Sequence, residues 1–219
     1  MRQAILAAED ERFYQHGGVD YLSVLRAALA NMSGGTQQGA GTITMQVARN
    51  FFLTRERTLT RKLREVLLAY KIENNLSKDE ILELYVNQIF LGQRAYGFAA
   101  ASQIYFGKPL SQVSVAEAAM LAGLPKAPSA YNPVANPKRA QLRQFYVLRR
   151  MHDLRFINDA QYQQAQETPL VVRQTPKDNP PPPHFIPQLV RPALGEPYGE
   201  GPRTPRPPAS PPPPQPPPP

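Results

Sequence analysis

Apolar residues recur at three- and four-residue steps over most of the first 175 positions, and no series of alternating apolar and polar residues competes with them. The spacing predicts helices, and several helix ends can be read directly. Asp20 is placed to N-cap a helix carrying Leu22, Leu25 and Leu29. Ser77-Lys78-Asp79-Glu80 and Ser114-Val115-Ala116-Glu117 have the capping-box pattern, in which a serine oxygen takes an unpaired helical N–H and a glutamate reaches back to the serine N–H. Leu59, Leu63, Val66, Leu67 and Tyr70 form the most periodic segment, predicting a helix from about Thr58 to Asn74 whose apolar stripe faces the core. Gly107 with Pro109 closes a helix over Tyr96 to Phe106, and Asn136-Pro137 opens a last long one running to about Arg155. The fold class is mainly α.

Composition divides the chain. Of its 26 prolines, six lie at or before Pro169 and the other 20 fall from Pro176 onward. Residues 1–175 therefore form one predicted globular domain, and residues 176–219 a proline-rich tail with too few apolar side chains to offset chain entropy, expected to be disordered or polyproline-II-like. Lys and Arg total 25 against 17 Asp and Glu, a net charge of +8, which suits polyanions or anionic membrane surfaces. With no cysteine there is neither a disulfide framework nor a thiolate metal site. The apolar run from Ala4 to Ala8 meets Glu9-Asp10-Glu11-Arg12 at once, too soon for a membrane span or an export signal.

Three clusters could carry chemistry. Glu9-Asp10-Glu11-Arg12-Phe13-Tyr14-Gln15-His16-Gly17-Gly18 places carboxylates and a histidine between two predicted helices; it reads either as a reactive junction or as a solvated acidic turn. Gln37 to Gln46 is a small-residue loop entering a helix, so its amides either receive an anion or simply form a flexible loop capped by Thr42; it lacks the lysine of a nucleotide-binding loop. Arg49, Arg55 and Arg57 lead to Arg61-Lys62-Leu63-Arg64-Glu65, where helical spacing brings Arg61 and Lys62 beside Glu65. That triplet is either a surface ion pair worth about 0.3–0.5 kcal/mol or one carboxylate set among cations that bind a phosphate or pyrophosphate. The cations interleave with acidic motifs instead of forming a continuous stripe, so no nucleic-acid partner is expected.

In order, these clusters resemble the signature blocks of glycosyltransferase family 51, the glycosyltransferase module of class A penicillin-binding proteins. Glu9-Asp10 through Phe13 and His16-Gly17 is similar to the family's first block, Gly39 to Gln46 to its second, and Arg61-Lys62-Leu63-Arg64-Glu65 to its third. Lys78 to Asn87, Arg94-Ala95-Tyr96-Gly97 with Tyr105-Phe106-Gly107-Lys108, and Leu121 to Ser129 resemble the downstream blocks, so that the likeness runs from Arg2 to Gln174. Gly41 stands where the family usually has serine, and Met45 replaces the usual first glutamine.

The resemblance implies a lysozyme-like glycosyltransferase fold whose cleft lies against the periplasmic face of the bacterial inner membrane. It implies polymerisation of lipid II onto a growing glycan strand, with inversion and release of undecaprenyl pyrophosphate, in company with cell-wall synthesis proteins. Glu9 would be the general base; Gln46, Arg49, Arg57, Lys62 and Thr42 would bind substrate, the cations stabilising the leaving pyrophosphate. Glu65 would orient those cations or hold a divalent cation, Mg2+, on the pyrophosphate. The anchor that precedes this module in the family is absent, as are the Ser-x-x-Lys, Ser-x-Asn and Lys-Thr-Gly motifs of a transpeptidase, so the chain reads as a truncated piece of a longer frame. Two rival readings are a catalytically impaired fragment that only binds lipid-linked precursor or cell-wall partners, and a lysozyme-like hydrolase, which would have no use for the cationic blocks.

Overall fold

A computed structural model describes residues 1–32, 41–52 and 59–173, without the side chains of Phe52 and Leu59. The proline-rich region 176–219 lies outside them, as do Arg55, Arg57 and the loop residues 37–40. Among the described residues the chain forms nine α-helices, with a single antiparallel bridge between Phe90 and Tyr96. The helices are α1 (Arg2–Glu9), α2 (Tyr21–Met32), α3 (Ile43–Phe52), α4 (Leu59–Asn75), α5 (Lys78–Gln88), α6 (Phe98–Phe106), α7 (Val115–Gly123), α8 (Pro137–Asp153) and α9 (Asp159–Glu167).

The core is built on α7. Ala116 through Gly123 are all buried, so this helix is covered all round, with Glu117 its one charged residue, and α1, α8 and α9 pack about it. A second group, α3 with α4 and α5, joins the first through α5 and α6. Both predicted capping boxes form: Ser77 accepts from Glu80 N–H and Ser114 from Glu117 N–H, with the glutamates returning to the serine N–H groups. Asp20 Oδ1 accepts from Ser23 N–H at 3.1 Å, capping α2 as its position suggested. Gly107 ends α6 in the left-handed region at φ +71°, a conformation glycine adopts without side-chain cost.

Two expectations need correcting. The apolar stripe on α4 does not face the core: Leu63 is 61% and Leu67 56% exposed, while Val66 and Tyr70 are only partly covered, against a small cluster of Val19, Met45 and Ala69. The inward face of α4 carries Glu65, Ala69 and Ile72. Periodicity gives the width of a face and not its direction, and here a charged group is turned inward. The long helix ending near residue 153 is also followed by another, α9, started by an Asn158–Gln161 capping box.

Candidate active site

The acidic cluster sits where α1 stops. Buried Phe13 pins the turn that follows, and Gly18, at φ +88°, lies so close to α4 that a Cβ there would stand 3.1 Å from the Ala69 carbonyl carbon. The chain is thereby folded back so that Asp10 reaches the start of α3. The Asp10 carboxylate accepts from Ile43 N–H at 3.1 Å and faces His16 Nε2 at 3.0 Å from each oxygen, and both side chains are buried. Thr42 Oγ1 donates to the Gly18 carbonyl at 2.5 Å and accepts from Met45 N–H at 3.2 Å. One carboxylate and one hydroxyl thus cap α3 and fix it against the loop that follows Glu9.

The consequence is a contact between α1 and α3. Gln46 Nε2 donates to Glu9 Oε2 at 2.7 Å, while the buried Tyr85 hydroxyl of α5 reaches Gln46 Oε1 at 3.5 Å. On its other side, Glu9 Oε1 lies 3.8 Å from Arg143 Nη2 of α8. Burial pushes the Glu9 carboxyl above the usual range, against the opposing pull of Gln46, Arg143, Lys126 and Arg49. Tyr85 is driven well above the ordinary phenol value by burial and by the neighbouring Glu9, so it remains a protonated donor.

Glu9, Thr42, Gln46 and Arg49 line one cleft of about 1000 Å³, together with Lys126, Arg139 and Arg143. Six cations, with Arg26 and Arg150 added to these four, therefore share the walls with the carboxylates of the first cluster. Arg143, Lys126 and Arg139 had not been singled out as candidate site residues, although Arg143 had a legible signal. It falls in register with the buried positions Ala140, Gln144, Val147, Leu148 and Met151 of α8, a place where charge is rare without a purpose.

Glu65 and Lys62 do not line that cleft among the described residues; they sit on α4, which packs against α3. Lys62 Nζ donates to Glu65 Oε2 at 3.0 Å and Arg61 Nε lies 3.5 Å from Oε1, the two ion pairs that helical spacing predicted. Glu65 is only 1% exposed while Lys62 is 52% exposed, so the carboxylate of this triplet is shielded from solvent and its lysine is not. Both Glu65 oxygens face cationic side chains, and among the described residues no group of three or more Asp, Glu, His or Cys converges as a metal site requires.

At the end of α1 a carboxylate whose side chain is 9% exposed opens onto a cleft with cationic walls. The transglycosylase family profile matches residues 1–152. The chain belongs to the transglycosylase family, which places it in the glycosyltransferase class. Within that class it is 56% identical over 201 residues to penicillin-binding protein 1A of Neisseria meningitidis, an alignment covering 91% of this chain and 25% of that protein. It is 62% identical over 170 residues to a protein of Cupriavidus necator described as a transglycosylase, covering 78% of this chain and 74% of the other. The chain thus spans a quarter of the length of the penicillin-binding protein 1A relatives. The crystal structure of penicillin-binding protein 1A from Haemophilus influenzae matches 58% of this chain and 17% of its own at 41% identity, with a TM-score of 0.43.

Proposed function

We propose that this chain is a peptidoglycan glycosyltransferase that joins lipid II to a growing glycan strand with inversion and release of undecaprenyl pyrophosphate. The observation that carries the reading is the placement of Glu9, its side chain only 9% exposed yet opening onto a cleft with cationic walls. A sugar hydroxyl is a poor nucleophile at neutral pH and requires a base at the moment of attack. In the proposed step the 4-hydroxyl oxygen of one lipid II bonds to the anomeric carbon of the growing chain, its proton passes to Glu9 Oε1, and the bond from that carbon to the pyrophosphate oxygen breaks. Gln46 holds Oε2 and so leaves Oε1 to take the proton.

Pyrophosphate departs as a stable anion and needs charge stabilisation more than a proton. Arg49, Lys62 and Arg57 supply that charge in the proposal, and Glu65 holds Lys62 and Arg61 in place. The hydroxyl hydrogen of Thr42 is committed to the Gly18 carbonyl, so its contribution is to set the N-terminus of α3 at the cleft wall.

The membrane surface is the proposed second partner, at the periplasmic face of the inner membrane. No helix among the described residues is long and apolar enough to cross a membrane. Instead α2 exposes Leu22, Leu25, Leu29 and Met32, and α4 exposes Leu63 and Leu67, a combination that would rest in the interfacial layer of a bilayer holding a lipid-linked substrate.

The test is polymerisation of labelled lipid II in detergent, with Lys62→Ala beside the unmodified chain and hydrolysis of preformed glycan measured in parallel. Lys62→Ala is expected to lower polymerisation by about 100-fold, as loss of a charge-stabilising donor does. Glycan hydrolysis that survives Lys62→Ala, without polymerisation by either form, would overturn the proposal in favour of a hydrolase.

A further inference from the structure

Arg143 is a charged side chain in a place that packing alone does not call for. It is 7% exposed, in line with the apolar stripe of α8, and its stem crosses α7 at Gly123, where a Cβ would stand 2.8 Å from Arg143 Cγ. Its Nε lies 3.4 Å from the Gly123 carbonyl, its Cζ lies 4.6 Å from the centre of the Tyr146 ring, and the Tyr131 ring is 5.8 Å away. These contacts order the side chain, since a guanidinium stacks on aromatic faces. They leave its terminal nitrogen 3.8 Å from Glu9 Oε1, the oxygen that Gln46 does not occupy.

We propose that Arg143 is the positioning residue for Glu9, holding its carboxylate toward the cleft and in the ionised form that a base requires. This rests on the reading of Glu9 as the general base. The charged and titratable groups facing Glu9 are Arg49 from α3, Tyr85 from α5, Lys126 after α7 and Arg143 from α8, with Asp10 next to it in the chain. Arg143 is the cation within ion-pair distance of Glu9 among the described residues, and its pull on the carboxyl ranks ahead of those of Lys126 and Arg49. Removing it leaves burial less opposed, so Glu9 holds its proton to higher pH and the base is lost from the acid side first. Gly123 belongs to the same device, because any side chain there would push the arginine stem aside.

The experiment reads Glu9 directly and through the reaction. The full chain carrying 13C-carboxyl glutamate is titrated by NMR, with Glu9→Gln identifying the resonance, and the pH dependence of lipid II polymerisation is measured alongside. In Arg143→Met the Glu9 titration and the acidic limb of kcat/KM are both expected to move up together, so that activity falls by up to about tenfold more on the acidic limb than at the alkaline plateau. Arg143→Lys keeps the charge and is expected to restore most of the limb. Gly123→Ala, which leaves the arginine in the sequence and suits a helix, is expected to shift both readouts in the same direction and decides the matter if Arg143→Met does not fold. A Glu9 titration unchanged in folded Arg143→Met, or in Gly123→Ala if the former does not fold, overturns the proposal. A wild-type chain that polymerises nothing would overturn the transferase reading instead, and the NMR titration would still decide this one.

Discussion

Replacing Asp10 by alanine tests whether the loop after α1 holds the site together. The carboxylate does two jobs, accepting the Ile43 N–H at the start of α3 and meeting the Nε2 of a His16 whose side chain is only 5% exposed. Loss of a helix cap costs about 1 kcal/mol, and a buried ring nitrogen left without its partner about 1–3 kcal/mol. Because one group serves both partners the two losses do not simply add, and about 2–4 kcal/mol is the reasonable total. With a urea m-value of about 2 kcal/mol/M, the unfolding midpoint should fall by about 1–2 M. Asp10→Asn is the control. Its amide oxygen can still accept from Ile43, but its NH2 would oblige His16 to move its proton to Nδ1, which is buried without a hydrogen-bond partner. That variant should lose about 1 kcal/mol. Polymerisation should fall in step, because a loosened α3 no longer presents Gln46 to Glu9. A stability for Asp10→Ala within about 0.5 kcal/mol of the unmodified chain, a midpoint shift of about 0.25 M, would refute the reasoning, since that is the range of a surface change.

Two further outcomes follow from the same geometry. Glu9 has its carboxyl raised by burial, so the folded chain binds that proton more tightly than the unfolded one, and the resulting stability is present below the unfolded carboxyl range and lost as pH rises through the folded value. Glu9→Gln should therefore melt higher than the unmodified chain at pH 7.5, with the difference vanishing near pH 4, as thermal unfolding at the two pH values would show. Leu25→Asp, at a position 58% exposed on α2, should leave unfolding within about 0.5 kcal/mol of the unmodified chain while weakening binding to anionic lipid vesicles by about tenfold or more, because burying one leucine contributes about 1.5–3 kcal/mol. Vesicle sedimentation checks it, and unchanged binding would remove α2 from the membrane contact.

The parts of the fold legible in the sequence are those set by neighbours in the chain. The serine–glutamate boxes at Ser77 and Ser114, the Asp20 cap and the Gly107 stop all depend on residues a few positions apart, and each forms as read. Facing is a different matter. Leu63 and Leu67 repeat correctly for a buried stripe, yet they look outward and Glu65 looks inward, because which side of α4 is covered depends on α3 and the Gly18 loop. Glu9 was found by its motif, but its surroundings could not be, since Gln46 and Arg143 reach it from 37 and 134 residues away. The Asn158–Gln161 box that starts α9 was open to the same reasoning as the other two and was overlooked.

The most direct measurement of the central claim compares the purified chain with Glu9→Gln in polymerising labelled lipid II, each first shown to be folded by circular dichroism. The account predicts glycan strands from the unmodified chain and a loss of at least about 100-fold in the variant, the contribution of a positioned base. Polymer formed at equal rates by both would show that Glu9 is not the base, and none from a folded unmodified chain would contradict the transferase reading itself.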